Sequence, residues 1–160
     1  MFKIIAAALV AVTLNFASPA QGLAAGLVAH VDISSQTMTV SNYGQTLHVW
    51  RVSTAGKGYH TPTGSYRPTR MARMWYSRKY DNSPLPYSVF FGGGYAIHGT
   101  GAIGRLGSPA SHGCIRLHPA NAAKLFAVVQ KHGKGGTRIA LNGVAPDSNS
   151  QFAKAKSRKG

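Results

Sequence analysis

The amino-acid sequence predicts one mainly β domain with a single principal helix. Short segments rich in β-branched and aromatic residues recur between Leu27 and Leu141, and Gly, Pro, Asn and Ser punctuate the chain between them. This pattern is typical of a domain built from many short strands. Apolar residues at helical spacing stand out in one place only, after Pro119. The 160 residues contain no internal repeat and provide enough chain for one core.

The first strands follow from the apolar pattern. Residues 27–33 and 37–40 predict two strands of a hairpin, and the polar segment 34–36 is its turn. Residues 46–53 predict a third strand, because apolar and polar residues alternate there. The apolar residues of this third strand are Leu47, Val49 and Val52. Further strands are predicted near Tyr66, at 87–91, at 95–98 and at 137–141.

The segment 71–86 is predicted to be an irregular connection. It is rich in aromatic and basic residues, and it is long for a connection in a domain of this size, which favours a functional role. Aromatic side chains prefer burial, so Trp75, Tyr76 and Tyr80 are interpreted as core residues rather than as walls of a substrate site.

One helix is predicted between Pro119 and Gly133. Proline suits the first helical position, where an N–H group would have no partner, and glycine suits the position just after the last turn. The apolar stripe that predicts its buried face comprises Ala122, Leu125, Phe126 and Val129.

Both ends of the chain differ in composition from the predicted domain, 26–143. Residues 1–20 combine an early positive charge, an apolar run and small residues before Ala20, which predicts a secretory signal peptide cleaved between residues 20 and 25. The apolar run is about half the roughly 20 residues that cross a bilayer, so no stable membrane insertion is expected. Residues 145–160 are basic and are predicted to be disordered. The sequence therefore predicts an exported protein of the periplasm or cell-wall space.

The charge of the protein is strongly one-sided. Eighteen Lys and Arg residues face three Asp residues, giving a formal net charge of +15. Such an excess attracts polyanions, namely nucleic acid, anionic lipid or an anionic wall polymer. Export and the lack of a recognisable nucleic-acid-binding motif argue against nucleic acid. An alternative interpretation is that the charge only keeps the protein soluble.

Cys114 is the single cysteine, so the chain can form no intramolecular disulfide. A lone thiol is a liability in an oxidising compartment unless it has a function. A lone cysteine is usually a buried apolar residue, but the neighbours of Cys114 favour a nucleophile.

Candidate partners of the thiol lie in two segments. His98 ends a predicted strand beside a glycine-rich loop, whereas His112 lies two residues before Cys114 and shares a face with it on an extended chain. Gly113 permits a tight turn whose N–H groups could form an oxyanion hole. Arg116 adds a positive charge able to lower the thiol pKa or to bind a substrate carboxylate.

These segments resemble the L,D-transpeptidase (YkuD-type) family. Residues 97–100 (IHGT) and 111–117 (SHGCIRL) resemble the family signature, and residues 61–66 (TPTGSY) resemble a Thr-Pro-x-Gly segment found early in its domains. The seven-residue segment is specific, whereas Thr-Pro-x-Gly alone is weak. The resemblance extends from about Leu27 to Leu141.

The resemblance implies a β-sandwich-like fold with the catalytic groups in a cleft under a mobile loop. Cys114 takes the position of the nucleophile, and His98 that of the proton donor and acceptor, oriented by the carbonyl group of Gly99. The supporting positions fall on Ser111, His112, Gly113 and Arg116.

The resemblance also implies the substrates. Family members attack a tetrapeptide stem of peptidoglycan after its third residue, a diamino acid, and release the terminal D-Ala. The acyl group then passes to an amine of another stem or of a protein attached to the wall or the outer membrane. No cofactor and no metal ion are expected.

Three alternatives stay open from the sequence. If water replaces the acceptor amine, the same residues form a carboxypeptidase or a hydrolase of wall–protein linkages. A zinc hydrolase would use the four residues His98, His112, Cys114 and His118, but no His pair has the spacing of metal ligands on a helix. A basic wall-binding protein without activity would not need the cysteine and both histidines.

Overall fold

The computed structural model describes residues 26–146, which form two β-sheets and one α-helix, and this architecture confirms the mainly β prediction. The predicted signal peptide and most of the predicted tail lie outside these residues. The helix α1 is Pro119–His132, as the apolar stripe predicts. The strands are β1 (Leu27–Asp32), β2 (Thr37–Asn42), β3 (Gln45–Arg51), β4 (Gly64–Tyr66), β5 (Arg70–Ser77), β6 (Ser83–Phe91), β7 (Tyr95–Gly99), β8 (Ile115–Leu117) and β9 (Thr137–Asn142).

The two sheets have different strand orders. The larger sheet has the order β3-β2-β1-β9-β4, and the smaller has the order β5-β6-β7-β8. The pairs β1–β9 and β7–β8 are parallel, and the others are antiparallel. Parallel neighbours need a long connection, and the one between β7 and β8 is the segment 100–114. This segment contains most of the predicted site residues. Because β8 follows it and pairs with β7, the end of the segment lies beside β7.

The core draws its apolar side chains from both sheets and from α1. Burial alternates strictly along β1, as expected for a strand with one face on a core. The four residues of the predicted stripe on α1 are all buried, and the helix begins with a cap in which the Nδ1 atom of His118 accepts a 3.2 Å hydrogen bond from the N–H of Ala120. Within residues 26–146 no helix has the length and the apolar character that a membrane crossing requires.

The interpretation of 71–86 as an irregular connection is wrong. These residues form the hairpin of β5 and β6, whose register pairs Met74 with Pro86 and Tyr76 with Pro84. Proline cannot donate a ladder hydrogen bond, which argues against a strand in a sequence. Both prolines are tolerated because β6 pairs with β7 only over 89–91. At Pro84 and Pro86 the side of β6 that faces away from β5 has no partner strand and needs no N–H donor.

Leu47 and Val49 are exposed on β3, which is an edge strand of the larger sheet. One interpretation of side-chain position is wrong. Trp75 and Tyr76 were interpreted as core residues, but they are exposed as well, since they lie on a hairpin that projects beyond β7.

Candidate active site

The pairing of β7 with β8 brings the predicted catalytic residues onto one face of the sheet. His98 stands opposite Arg116 in the parallel register. Cys114 lies immediately before β8, and its side chain lines the same cleft as His98 and Arg116. Ile97, which precedes His98, pairs with Ile115, which precedes Arg116, and both isoleucines are fully buried in the core. Burial of this isoleucine pair therefore fixes which face carries the thiol and the imidazole.

This face opens into a cleft of about 560 Å³. The hairpin β5–β6 covers one side of the cleft, and we call this element the covering hairpin. Trp75 and Tyr80 line the cleft from that hairpin. The interpretation of these two residues as core residues is therefore wrong, because they are walls of the site. Other lining residues are His98, Ser111, His112, Cys114 and Arg116.

The His98 imidazole is oriented by the backbone of the next residue. Its Nδ1 atom lies 2.7 Å from the carbonyl oxygen of Gly99, the contact that the family resemblance implies. Because a carbonyl oxygen only accepts, Nδ1 carries the proton and Nε2 is left as an acceptor. Burial, aided by the positive charge of Arg116, lowers the pKa of His98 to about 4, although the hydrogen bond to Gly99 opposes this shift. The imidazole is therefore neutral near pH 7.

The thiol of Cys114 is also neutral at rest. Burial raises its pKa, whereas a backbone hydrogen bond from Ala96 and the positive charge of Arg116 lower it, and burial has the larger effect. Arg116 acts in the direction expected from the sequence, but it does not overcome desolvation. The resting site therefore holds a thiol and a neutral imidazole rather than a thiolate–imidazolium pair.

The hydroxyl group of Ser111 shapes the turn that carries the thiol. It donates a 2.6 Å hydrogen bond to the carbonyl oxygen of Cys114 and accepts a 3.0 Å hydrogen bond from the N–H of Gly113. The N–H of Gly113 is thus occupied by Ser111, which leaves the N–H of Cys114 as the nearest candidate among the amides expected to form an oxyanion hole.

Gly113 is needed for its small size and its backbone conformation. Its φ angle is +129°, in the region that side chains disfavour. A Cβ atom at this position would lie 2.5 Å from the ring of Tyr95 and 2.7 Å from the carbonyl oxygen of His60. Any larger residue would displace the turn next to Cys114.

Thr61 supports the same turn through its side chain, a role that the sequence analysis did not predict. The buried hydroxyl group accepts a 2.9 Å hydrogen bond from the N–H of Ala55 and donates a 2.8 Å bond to the carbonyl oxygen of Gly113. The Thr-Pro-x-Gly segment was visible in the sequence, but its partners are far away along the chain.

A second unexpected contact involves Gln36, which lies in the predicted hairpin turn and is fully buried. Its amide group donates to the carbonyl oxygen of Ile33 and to the hydroxyl of Thr54, both at 2.6 Å, and accepts the N–H of Thr54 at 2.9 Å. The carbonyl oxygen of Thr54 in turn accepts the N–H groups of Ala110 and Ser111 at 2.9 Å. Gln36 therefore anchors Thr54, to which the end of the segment 100–114 is attached.

The zinc alternative is not supported by the side chains. Within residues 26–146 no group of three or more His, Cys, Asp and Glu residues is arranged to hold a metal ion. His118, one of the four ligands in that alternative, uses its Nδ1 atom to cap α1.

A family model for the L,D-transpeptidase catalytic domain (YkuD) matches residues 27–140. The chain belongs to this family. Its members act at the bacterial cell wall on peptidoglycan stem peptides, which agrees with the substrate class that the sequence implied.

Several relatives of this L,D-transpeptidase family member show the extent of the similarity. A putative L,D-transpeptidase, YkuD of Bacillus subtilis, is 26% identical over 116 residues, which are 70% of this chain and 63% of that protein. The structure of an L,D-transpeptidase from Stackebrandtia nassauensis is 27% identical with a TM-score of 0.69, covering 80% of this chain and 60% of that one. An LD transpeptidase solved in complex with imipenem is 26% identical with a TM-score of 0.65, over 73% and 59% of the two chains. The chain thus spans about three-fifths of the length of these relatives.

Proposed function

We propose that this protein is a peptidoglycan L,D-transpeptidase that uses Cys114 as nucleophile and His98 as general base. The observation that carries the proposal is the shared face of β7 and β8, where a buried neutral imidazole and the chain's one thiol line a single cleft. The donor is the tetrapeptide stem, attacked at the carbonyl group of its third residue, a diamino acid.

The first half-reaction transfers the acyl group to the enzyme. As the sulfur of Cys114 attacks the carbonyl carbon, the thiol proton moves to the Nε2 atom of His98. The tetrahedral intermediate then collapses, the C–N bond breaks, and the same proton passes from Nε2 to the departing amine of D-Ala. A thioester on Cys114 remains, and the proton and charge are balanced.

The second half-reaction regenerates the enzyme. An acceptor amine attacks the thioester carbonyl carbon and gives a proton to Nε2 of His98. The thiolate leaves, takes that proton, and the new amide is released. The acceptor is the side chain of another stem, which gives a 3-3 cross-link, or the amine of a protein attached to the wall or the outer membrane.

The backbone around the thiol supplies the electrostatic support. Because the N–H of Gly113 is bound to Ser111, the N–H of Cys114 itself is the donor that we assign to the developing oxyanion. Ser111, Gly113 and Gly99 act by holding the two reacting side chains in position, and His112 forms part of the cleft wall.

The place of action that we propose is the periplasm or cell-wall space, reached by means of the predicted signal peptide. The excess of basic residues, of which only Lys3 lies in the predicted signal peptide, would then attract the enzyme to an anionic wall polymer. Such attraction is screened, with a Debye length of about 8 Å at physiological salt, so sedimentation with purified wall should weaken as salt increases.

The experiment that tests the proposal is incubation of residues 26–160 with purified disaccharide-tetrapeptide, followed by mass analysis. A cross-linked dimer lacking one D-Ala supports transpeptidation. A tripeptide alone would show that water is the acceptor and that the protein is a carboxypeptidase with the same site. Neither product, from a protein whose thiol reacts with a small alkylating reagent, would contradict the proposal.

A further inference from the structure

The side chain of Arg116 is a half-buried cation with most of its donors unused. Its backbone is fixed, since its N–H and C=O groups bond to Ser53 at 2.9 and 3.0 Å. The guanidinium group has five N–H donors, and within the described residues only Nη1 has a partner, the carbonyl oxygen of Ala110 at 3.1 Å. No buried side-chain nitrogen in this part of the chain lacks a partner, so the remaining donors of Arg116 are accessible to solvent, and Arg116 is one of the residues that line the cleft.

No carboxylate of the described chain neutralises this group. Burial lowers the pKa of Arg116, the thiol of Cys114 opposes that shift, and the charge of Arg105 adds to it. Two cations thus stand near each other with no acidic partner. Of the two acidic residues in 26–146, Asp32 is bound to Ser34 and Ser35 in the β1–β2 turn. A half-buried guanidinium group of this kind is suited to a carboxylate, which it can bind with two parallel hydrogen bonds.

The position of Arg116 selects which carboxylate it can reach. It lies two residues after Cys114 and lines the same cleft, and two residues of chain span at most about 7 Å. In the acyl donor, the carboxylate of the leaving residue is three bonds from the carbonyl carbon that the sulfur attacks, which is within about 4 Å. A side chain that reaches back along the strand can therefore meet that carboxylate while the sulfur meets the carbonyl carbon.

We propose that Arg116 binds the free α-carboxylate of the residue that leaves, so that the site accepts donors with one residue after the scissile bond. This inference rests on the proposed function for the identity of the donor. A stem that ends in an amide, or that continues by another residue, presents no carboxylate at this place and leaves the guanidinium group unpaired. Arg116 then determines donor length, in addition to its effect on the thiol.

The experiment compares two donors, the tetrapeptide stem and its C-terminal carboxamide, in binding to Cys114→Ala protein. This background separates recognition from turnover. The acid should bind on the order of 10- to 100-fold more tightly than the amide, as expected for a charge-assisted hydrogen bond. Adding Arg116→Gln should reduce this ratio to within about threefold of one, and adding Arg116→Lys should give an intermediate ratio, because a charge remains without the planar fork.

The matched control is Arg105→Gln, which removes a nearby positive charge that does not line the cleft. It should preserve the ratio between acid and amide. Equal binding of both donors, an unchanged ratio in Arg116→Gln, or an equal loss in Arg105→Gln would each overturn the inference. Turnover by the wild-type protein is measured in parallel and tests the proposed function separately, since an enzyme that accepts acid and amide equally well would refute only the role of Arg116.

Discussion

The imidazole ring of His112 stacks on the phenol ring of Tyr80, with the ring centroids 4.4 Å apart and the planes 10° from parallel. The ring of Tyr59 packs nearly perpendicular to the same imidazole, with centroids also 4.4 Å apart. His112 thereby joins the tip of the covering hairpin to the loop that carries Cys114. The hairpin turns tightly just after Tyr80, because Asp81 and Asn82 both adopt left-handed backbone angles. We infer that His112 closes a wall of the cleft and that it is not the base.

Loss of the Tyr80 ring should therefore open the cleft. In Tyr80→Ala we expect KM for the tetrapeptide donor to rise about 2- to 10-fold, and the rate of Cys114 alkylation by a neutral reagent to rise by a similar factor. This factor corresponds to the interaction free energy of one aromatic pair. Tyr80→Phe keeps the ring and should behave as wild type. The control is Tyr76→Ala, which removes an exposed ring of the same hairpin that does not line the cleft. Similar effects from both alanine variants would argue against the contact with His112.

The acid limb of the pH profile should identify the base. With its pKa lowered to about 4, His98 loses its ability to accept a proton only as the pH falls through that value. We therefore expect kcat/KM to be constant from about pH 5 to 7 and to fall near pH 4. A fall in kcat/KM centred near pH 6.5, the ordinary pKa of histidine, would indicate a less buried base. His98→Ala should abolish acylation, whereas His112→Ala should reduce activity without moving the limb.

Thiol reactivity should reflect desolvation. Because burial raises the pKa of Cys114, the rate of alkylation by iodoacetamide should have its midpoint above the ordinary thiol value. Arg116→Gln should move this midpoint higher still, since the positive charge of Arg116 lowers the pKa. A midpoint below the ordinary value in the wild-type protein would indicate a resting thiolate and would contradict the neutral pair.

Stability should depend on Gln36. Truncation in Gln36→Ala leaves the N–H of Thr54 and the carbonyl oxygen of Ile33 buried without their partner, which should lower the free energy of unfolding by about 3 kcal/mol. Gln45→Ala changes the same residue type at an exposed position on β3 and should change this free energy by less than about 0.5 kcal/mol. Denaturant unfolding followed by Trp fluorescence measures both. Equal stabilities would show that the buried amide contributes little.

The sequence was most informative where contacts are local. The helix was predicted with its cap region and its buried face, because helical spacing and a flanking Pro119 and Gly133 are local signals. The segment 111–117 identified the thiol loop for the same reason. The same reliance on local pattern explains why β6 was not predicted. Pro84 and Pro86 argue against a strand, and β6 tolerates them only because its pairing with β7 is limited to residues 89–91.

Contacts between distant residues were not predictable in the same way. Gln36 and Thr54 are 18 residues apart, and Thr61 and Gly113 are 52 residues apart, so nothing in either neighbourhood indicates the partner. The neutral resting state of Cys114 and His98 was not predicted, because it depends on how deeply the two side chains are buried. The motif shows only that Arg116 is close to Cys114 along the chain. The exposed faces of Leu47 and Val49 depend on sheet order, which one strand does not encode.

The measurement that tests the central claim most directly is intact mass analysis of the enzyme, quenched during turnover of the tetrapeptide donor. We expect a covalent adduct with the mass of the donor minus D-Ala, which peptide mapping should locate on Cys114. The adduct and all turnover should be absent in Cys114→Ala, whose thermal unfolding should resemble that of the wild-type protein. Turnover by Cys114→Ala, or an acyl adduct on any other residue, would contradict the account.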